Sequence, residues 1–175
     1  MWKKIVGGIV AVIVILVIVV AVQPSDFKIT RSIVIESGAA PIFGYINDLH
    51  RWEAWSPYEK ADPEMKKTFE GPPAGEGAKY TWESAKMGHG RMTIVKVQDP
   101  TYISIDLEFM KPMAARNVAE FVIQPEGSGS KVTWSMTGKN GFLGKAFCLF
   151  MNMDKMVGGD FDKGLAELKR IVEKK

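Results

Sequence analysis

The last thirty residues of the chain carry the pattern that most constrains its fold. Apolar side chains recur there every three or four residues, which places them in one stripe along an α-helix. The stripe consists of Leu143, Phe147, Phe150, Met153, Val157, Phe161, Leu165, Leu168 and Ile171. Basic residues gather near its C-terminal end, where the helix dipole favours them. The sequence therefore predicts one long helix from Leu143 to Lys174 whose stripe packs against the rest of the domain.

The two halves of this predicted helix differ in composition. In the first half, apolar residues also lie off the stripe, at Phe142, Ala146, Cys148, Leu149, Met151 and Met156. We therefore expect more than one neighbouring element to cover that half. Gly158 and Gly159 separate the halves, although two glycines cost roughly 2 kcal/mol relative to alanine in a helix interior. A kink, the close approach of another backbone, or room for a ligand would each explain this cost.

Charge and composition restrict the possible functions. Without Lys3 and Lys4, which precede an apolar N-terminal run, the chain has 21 basic and 20 acidic residues. This near neutrality does not favour nucleic-acid binding. Cys148 is the only cysteine, which excludes an internal disulfide, and we interpret it as a buried, inert thiol. His50 and His89 are the only histidines and match no zinc spacing, so no metal or cofactor is predicted.

Residues Ile5 to Val22 form an uninterrupted apolar run of 18 residues. As a helix the run would span about 27 Å, close to the ~30 Å hydrocarbon core of a bilayer. Positive charge at Lys3 and Lys4 puts the N-terminus in the cytoplasm and the rest of the chain outside it. A cleaved signal peptide is the alternative, but the run is long for one. We predict a single-pass anchor and linker over residues 1–26 and a folded domain over residues 27–175.

Between the apolar run and the terminal helix, apolar residues mostly alternate with polar ones, as in half-buried β-strands. The pattern predicts a first strand at 27–36 and two short helices at about 40–47 and 49–55. Six further strands are predicted at about 65–70, 78–84, 91–98, 102–109, 117–124 and 131–137. Their tight connections indicate an antiparallel meander. The predicted class is α+β, with a curved antiparallel sheet of about seven strands wrapped around the long C-terminal helix.

Four short motifs follow one another along the predicted domain. They are Asp48-x-x-x-Trp52-x-x-Trp55-Ser56-Pro57, Gly75-x-Gly77, Val132-Thr133-Trp134 and Asp160-Phe161-x-x-Gly164-Leu165-x-x-Leu168-Lys169. Together with the order of elements, they resemble the START-like (SRPBCC) superfamily, and the polyketide cyclase/dehydrase and lipid-transport branch looks most similar. The resemblance implies a helix-grip fold with a deep hydrophobic cavity between the sheet and the long helix. It implies no single activity, because members include lipid carriers, ligand sensors and aromatase/cyclases.

Large side chains on the predicted inner faces are the candidate ligand-binding residues. They are Trp55, Tyr80, Trp82, Trp134, Phe147, Phe150 and Met151. Such linings adapt to flexible apolar ligands, although core packing explains each residue equally well. The leading hypothesis is a membrane-anchored module that binds a hydrophobic small molecule or lipid between the sheet and the first half of the terminal helix. If so, Gly158→Leu or Met151→Trp should fill the cavity without loss of stability.

Polar groups suited to catalysis are scarce on the predicted inner faces. His89 and Arg91 can reach the mouth of the expected cavity, and Asp154 and Asp160 can reach its other end, but we assign no catalytic residue. Two alternatives stay open: a polyketide cyclase/dehydrase-like enzyme, and an interaction module of a membrane complex. Turnover assays with His89 and Asp154 substituted would test the first alternative, and co-purifying partners would test the second.

Overall fold

The computed structural model describes residues 2–174, and its central feature is a seven-stranded antiparallel sheet that curves around a C-terminal helix. The strands are β1 (Asp26–Ile35), β2 (Lys66–Glu70), β3 (Lys79–Ser84), β4 (Gly88–Gln98), β5 (Tyr102–Lys111), β6 (Ala115–Glu126) and β7 (Gly129–Lys139). Their order across the sheet is β1-β7-β6-β5-β4-β3-β2. Six strands in sequence, β2 to β7, therefore pair with their neighbours in the chain, and β1 closes the sheet on the far side of β7.

The helices frame this sheet. They are α1 (Trp2–Val22), α2 (Ala39–Asn47), a short 3₁₀ helix (Leu49–Ala54), α3 (Pro57–Ala61), α4 (Phe142–Phe150) and α5 (Met153–Glu173). The predicted fold class is confirmed, and the predicted strands and the two short helices lie within a few residues of the observed ones. The α3 helix was not predicted.

A cluster of aromatic rings fills the core between the sheet and α5. Trp134 on β7 stacks on Phe161 of α5, with ring centroids 3.9 Å apart and planes 8° from parallel. Phe121 on β6 also stacks on Trp134, with ring centroids 4.9 Å apart. Trp52 and Trp55, from the 3₁₀ helix and its end, contact the same rings edge-on. Alternation along each strand puts these side chains on one face, so the sheet and α5 share one core.

The terminal stretch is two helices, and the prediction of one continuous helix is wrong. Met151 adopts an extended backbone conformation after α4. Asn152 then caps α5, because its side-chain oxygen accepts a hydrogen bond from the Lys155 backbone N–H at 2.9 Å. Asparagine is a favoured N-cap, and Asp154 in the first turn suits the positive end of the helix dipole. The break therefore follows from local capping chemistry.

The break changes what the apolar stripe contacts. In α5, Phe161, Leu165 and Leu168 are buried in the core, as predicted. In α4, the stripe residues Leu143, Phe147 and Phe150 are 68%, 43% and 77% exposed. We call these three residues the α4 apolar face. The expectation that neighbouring elements cover the first half of the stripe is wrong.

Gly158 gives space to an arginine, not to a ligand. Arg31 lies on the inner face of β1, and its guanidinium donates to both carboxylate oxygens of Asp154, at 3.0 and 2.9 Å, and to Asp162 at 3.2 Å. A Cβ built at Gly158 would collide with that guanidinium. Close approach of a side chain therefore explains this glycine, while Gly159 has open space where its Cβ would lie.

The N-terminal helix α1 projects away from the core. Val20 is its one buried residue, and large apolar side chains from Trp2 to Val22 are exposed. The helix is long and apolar enough to cross a membrane, and a signal sequence has the same length and composition. Its last turn lies beside α4, where the Lys145 ammonium is 3.4 Å from the carbonyl oxygen of Ala21.

Candidate functional site

A cleft of about 480 Å³ opens between α3 and α5, beside the turn that joins β3 to β4. Its apolar wall comprises Trp55, Pro57, Tyr58, Ala61 and Met87. Its polar rim comprises Lys60, Asp160, Lys163 and Glu167. The volume falls within the usual range for small-molecule sites, and the combination of apolar wall and a few polar groups is typical of them.

The sequence around Trp55 builds the inner end of the cleft. The 3₁₀ helix ends there with a hydrogen bond from the Trp55 backbone N–H to the Trp52 carbonyl, at 3.1 Å. The Trp55 indole N–H donates to the Tyr45 carbonyl of α2 at 3.2 Å, which fixes the ring. Pro57 then occupies the first position of α3, where its missing N–H costs no hydrogen bond. The two short helices and α3 thus hold Trp55 under the cleft.

Gly164 lets α5 approach this end of the molecule closely. A Cβ on Gly164 would lie 3.0 Å from both Pro57 Cδ and Trp134 Cζ3, closer than ordinary van der Waals contact. The glycine therefore allows α5 to pack directly on α3 and on the central tryptophan. This packing places Asp160, Lys163 and Glu167, one helical turn apart, along the rim of the cleft.

Ion pairs organise the rim. The Glu167 carboxylate accepts hydrogen bonds from Arg170 at 2.6 and 2.8 Å, and from Lys60 of α3 at 3.4 Å. These contacts, chiefly those of Arg170, lower the pKa of Glu167 from 4.5 to about 2. Asp160 accepts a hydrogen bond from Lys163 at 3.0 Å. The rim is thus a set of paired charges that also links α3 to α5.

Tyr58 supplies a neutral donor to the cleft. Burial raises the pKa of its phenol, and the negative charge of Asp160 raises it further. The phenol therefore keeps its proton throughout the physiological pH range and can donate a hydrogen bond to a ligand oxygen.

Four of the predicted ligand-binding residues lie together at this side of the core. Trp55 lines the cleft. In the aromatic cluster, the ring centroids of Trp55 and Trp134 are 5.6 Å apart. Tyr80 and Trp82 are buried on β3. The Tyr80 hydroxyl donates to Glu59 of α3 at 2.7 Å, and the Trp82 indole donates weakly to the carbonyl of Met87 at 3.4 Å. Tyr80 is thus tied to α3, Trp82 to Met87 of the cleft wall, and Trp134 to Trp55, although none of the three lines the cleft itself.

The Trp134 indole has a further property. Among the residues that the structure describes, its buried N–H has no hydrogen-bond partner. An unpaired buried donor costs free energy, so each such group calls for an explanation.

The other three predicted residues, Phe147, Phe150 and Met151, lie elsewhere. They are exposed on and after α4, and none of them lines the cleft. Phe150 and Met151 instead border an open surface concavity formed by residues 148–153. The expectation that they face the sheet is wrong, because the break at Asn152 separates α4 from the helix that packs on the core.

The polar candidates near the expected cavity also separate. His89 and Arg91 lie on the outer face of the sheet, where Arg91 pairs with Glu108 and His89 is 3.9 Å from Glu83. The expectation that they reach the cavity mouth is wrong, since their strand parity points them outward. Asp154 is bound to Arg31, whose hydrogen bonds lower the pKa of that carboxyl. Of the four polar candidates, Asp160 alone lines the cleft.

Sequence reasoning missed most of the rim. It did not single out Tyr58, Lys60, Lys163 or Glu167, because the cleft depends on α3. The available signals were Ser56-Pro57 as a helix start and the helical spacing of Asp160, Lys163 and Glu167 on α5. Within residues 2–174, no group of three or more histidine, cysteine, aspartate or glutamate side chains is arranged to hold a metal ion.

A curved antiparallel sheet gripping a C-terminal helix, with a cleft at the helix edge, defines a helix-grip protein of the SRPBCC type. Residues 26–173 match the family described as polyketide cyclase/dehydrase and lipid transport, and the chain belongs to that family. No curated protein sequence matches the chain.

Solved structures with the same fold come from several bacteria. A protein from Chromobacterium violaceum superposes with a TM-score of 0.61 at 12% identity, covering 87% of this chain and 100% of that one. A protein from Rhizobium leguminosarum gives 0.62 at 9% identity, covering 87% and 98%. DynU16, from the dynemicin biosynthetic locus, gives 0.59 at 10% identity, covering 84% of this chain and 47% of its own. At these identities the likeness shows a shared fold.

Proposed function

We propose that this protein is a membrane-anchored binding module for a hydrophobic small molecule or lipid, and that the cleft between α3 and α5 is its ligand site. The observation that carries the proposal is the cleft itself, with an aromatic wall at Trp55 and Tyr58 and a charged rim. This combination suits an amphiphile whose apolar body lies against the wall and whose polar group meets the rim.

The rim indicates which polar group would bind. Lys60 and Lys163 present ammonium groups at the cleft, each also bonded to a carboxylate of the rim, and Tyr58 presents a neutral hydroxyl donor. Ammonium and phenol donors favour a carboxylate, phosphate or carbonyl oxygen. A fatty acid, or another apolar molecule with one acidic or carbonyl end, satisfies both parts of the cleft.

The same charges favour binding over catalysis. A general base needs a free group whose pKa lies near the working pH. Glu167, with its pKa lowered to about 2 and its oxygens bonded to Arg170 and Lys60, is a weak base. The Asp160 carboxylate is bonded to Lys163. The carboxylates of the rim therefore suit holding the walls of a binding site together.

The anchor is assigned to α1. Its exposed apolar side chains need a nonaqueous environment, and residues 5–22 match the thickness of a bilayer core. With Lys3 and Lys4 on the cytoplasmic side, the domain is extracytoplasmic. Protease protection of the domain in sealed spheroplasts would contradict this orientation, and a mature N-terminus near Val22 would contradict a retained anchor.

Filling the cleft tests the ligand site. Ala61 is an exposed lining residue, so Ala61→Trp adds bulk to the cleft with little effect on the core. Ala54→Trp is the matched control, because Ala54 is exposed and lies outside the cleft. We expect Ala61→Trp to weaken binding of a fluorescent fatty acid about tenfold or more, and Ala54→Trp to leave it unchanged.

The measurement uses the full-length protein in nanodiscs, with empty nanodiscs to subtract partitioning of the probe into lipid. Unfolding midpoints of both variants establish that each is folded. If the parent protein shows no saturable binding, the proposal of a ligand site is wrong. Equal affinity of the two variants would place any bound probe outside this cleft.

A further inference from the structure

The α4 apolar face is exposed although it belongs to a folded helix with partners on its other side. Leu143, Phe147 and Phe150 follow one another at intervals of four and three residues, so they point in one direction. Gly144, Lys145, Ala146, Cys148 and Leu149, on the other faces, are partly buried. The helix therefore turns its most apolar side away from its own protein. Large contiguous apolar patches on a surface mark a binding surface for another molecule or a membrane.

The position of α4 relative to α1 identifies that environment. Residues 5–22 would span about 27 Å, so the whole run is needed to cross a core of ~30 Å and Val22 must lie at its boundary. Val20 in the last turn of α1 is buried, and the Lys145 ammonium of α4 is 3.4 Å from the Ala21 carbonyl. These contacts put α4 within about two residues, or ~3 Å of helix rise, of the boundary.

A second apolar feature lies at the same end of the sheet. The register pairs Asp26 at the start of β1 with Lys139 at the end of β7, and Phe109 with Ala115 across the β5–β6 turn. Because neighbouring strands run antiparallel, this turn and the start of β1 lie at the same end of the sheet. Met110 and Met113 at the turn are 40% and 50% exposed. The end of the sheet nearest α1 thus carries two exposed apolar groups, which are the α4 apolar face and the pair Met110 and Met113.

The charge of this edge agrees with a lipid surface. The sequence of α4 contains no acidic residue and one lysine, Lys145. Lys111 ends β5 at the same end of the sheet, and Lys139, which ends β7, is 3.5 Å from the Asp26 carboxylate. Lysines beside an apolar helix face can keep their ammonium groups at the level of lipid headgroups while their stems lie along the hydrocarbon. Anionic phospholipids would add attraction.

We propose that α4 is a second membrane contact, which lies in the interface of the bilayer that α1 crosses, with the α4 apolar face in the lipid. The inference rests on the membrane anchor of the proposed function but not on the ligand cleft. Two contacts at one edge hold the domain in a fixed orientation, with the β5–β6 turn toward the membrane and the β6–β7 turn away from it.

Depth measurements on the full-length protein test the proposal. Since Cys148 is the only cysteine, Cys148→Ser gives a background in which Leu143→Cys, Phe150→Cys and Ser128→Cys each carry one nitroxide label. Ser128 is exposed in the β6–β7 turn, at the opposite end of the sheet, and serves as the control. The proteins are placed in nanodiscs of phosphatidylcholine and phosphatidylglycerol. Electron paramagnetic resonance then compares accessibility to oxygen, which concentrates in lipid, with accessibility to a water-soluble nickel chelate.

We expect the ratio of oxygen to nickel accessibility to be several-fold higher at positions 143 and 150 than at position 128. Equal ratios at all three positions, in protein that remains in the nanodisc, would overturn the interfacial assignment and leave the anchor intact. Labels that are shielded from both reagents and broaden one another would identify a second copy of the chain as the occupant, which also overturns it. Protein that does not stay with the lipid would overturn both the anchor and this inference.

Discussion

The two C-terminal helices continue one apolar stripe but meet opposite environments. In α5 the stripe packs on β1 and β7, and Phe161 is 2% exposed against the ring of Trp134. In α4 the stripe faces outward, and Phe150 is 77% exposed. Both helices have side chains at the same spacing and of the same type. What differs is the element that lies opposite: the stripe of α5 faces the sheet, and the stripe of α4 faces no element of the described chain.

This difference shows that periodicity identifies a face without identifying its partner. The chain leaves β7 at Lys139, and α4 lies beside the last turn of α1 at the edge of the sheet. Only after Asn152 restarts the helix does the stripe run along the inner face of the sheet. An apolar face that no protein element covers needs another apolar partner, which is the basis for assigning α4 to a membrane surface.

The largest expected effect comes from truncating one phenylalanine in each helix. Phe161→Ala removes a fully packed ring from the core and should lower the free energy of unfolding by about 3–5 kcal/mol. Phe150→Ala removes an exposed ring and should change it by less than about 0.5 kcal/mol. Urea unfolding of the full-length protein in a mild detergent, followed by tryptophan fluorescence, measures both.

Similar losses for the two variants would break the comparison, because they would show that α4 is buried by a contact absent from the described chain. Leu143→Ala, a second exposed position in α4, controls for any local effect at Phe150. A small effect of Phe161→Ala would contradict the packed core itself.

Much of the fold could be predicted because strands with one apolar face have a clear signature. The alternation of Ile103 and Ile105 with Ser104 and Asp106 gave both the strand and its inward side, and the observed burial of both isoleucines agrees. Turn residues such as Asp99-Pro100 marked where the strands end. Local patterns therefore decided most of the sheet.

The candidate site was less predictable, because it depends on packing between distant segments. Trp55 was recognised as a large residue facing inward. However, the pairing of Lys60 with Glu167 joins residues that are far apart in sequence. Likewise, Arg31 takes an inner-face position of β1, and nothing local in the sequence indicates that its partners are Asp154 and Asp162 or that Gly158 leaves room for it. Asn152 was a readable cap signal that the continuous stripe obscured.

A smaller effect is expected from the adjacent glycines of α5. Gly158→Ala places a Cβ against the end of the flexible Arg31 side chain, which must give up its exposed ion pairs, and should lower the free energy of unfolding by about 1 kcal/mol or less. Gly159→Ala enters open space and should raise it by up to about 1 kcal/mol through helix propensity. Thermal unfolding of both variants provides the test. The earlier expectation for Gly158→Leu is reversed by this contact, and Met151→Trp at an exposed position should do little to stability.

If Gly158→Ala is as stable as the parent, the arginine can move aside and its pairing with Asp154 does not hold α5 to β1. Combining Gly158→Ala with Arg31→Ala sharpens the test. Removing the guanidinium should remove most of the penalty of the added methyl group, since the two changes share one contact.

The smallest effect is a pH dependence that belongs to α5, because α4 contains no acidic residue. Hydrogen bonds from Arg170 and Lys60 lower the pKa of Glu167 in the folded protein from 4.5 to about 2. A carboxyl whose pKa is lowered by folding stabilises the protein above its unfolded pKa, and the contribution is lost as the pH falls through the folded pKa. The stability difference between the parent and Glu167→Gln should therefore be complete above pH 4.5 and shrink toward zero near pH 2. For a partly exposed ion pair it should amount to about 1 kcal/mol or less.

Arg170→Gln should return the pKa of Glu167 toward its ordinary value, so that the contribution is lost at higher pH. Urea unfolding of these proteins between pH 2 and pH 7 checks the prediction, and a difference that does not change with pH would show that the contacts of Glu167 do not stabilise the folded protein through charge.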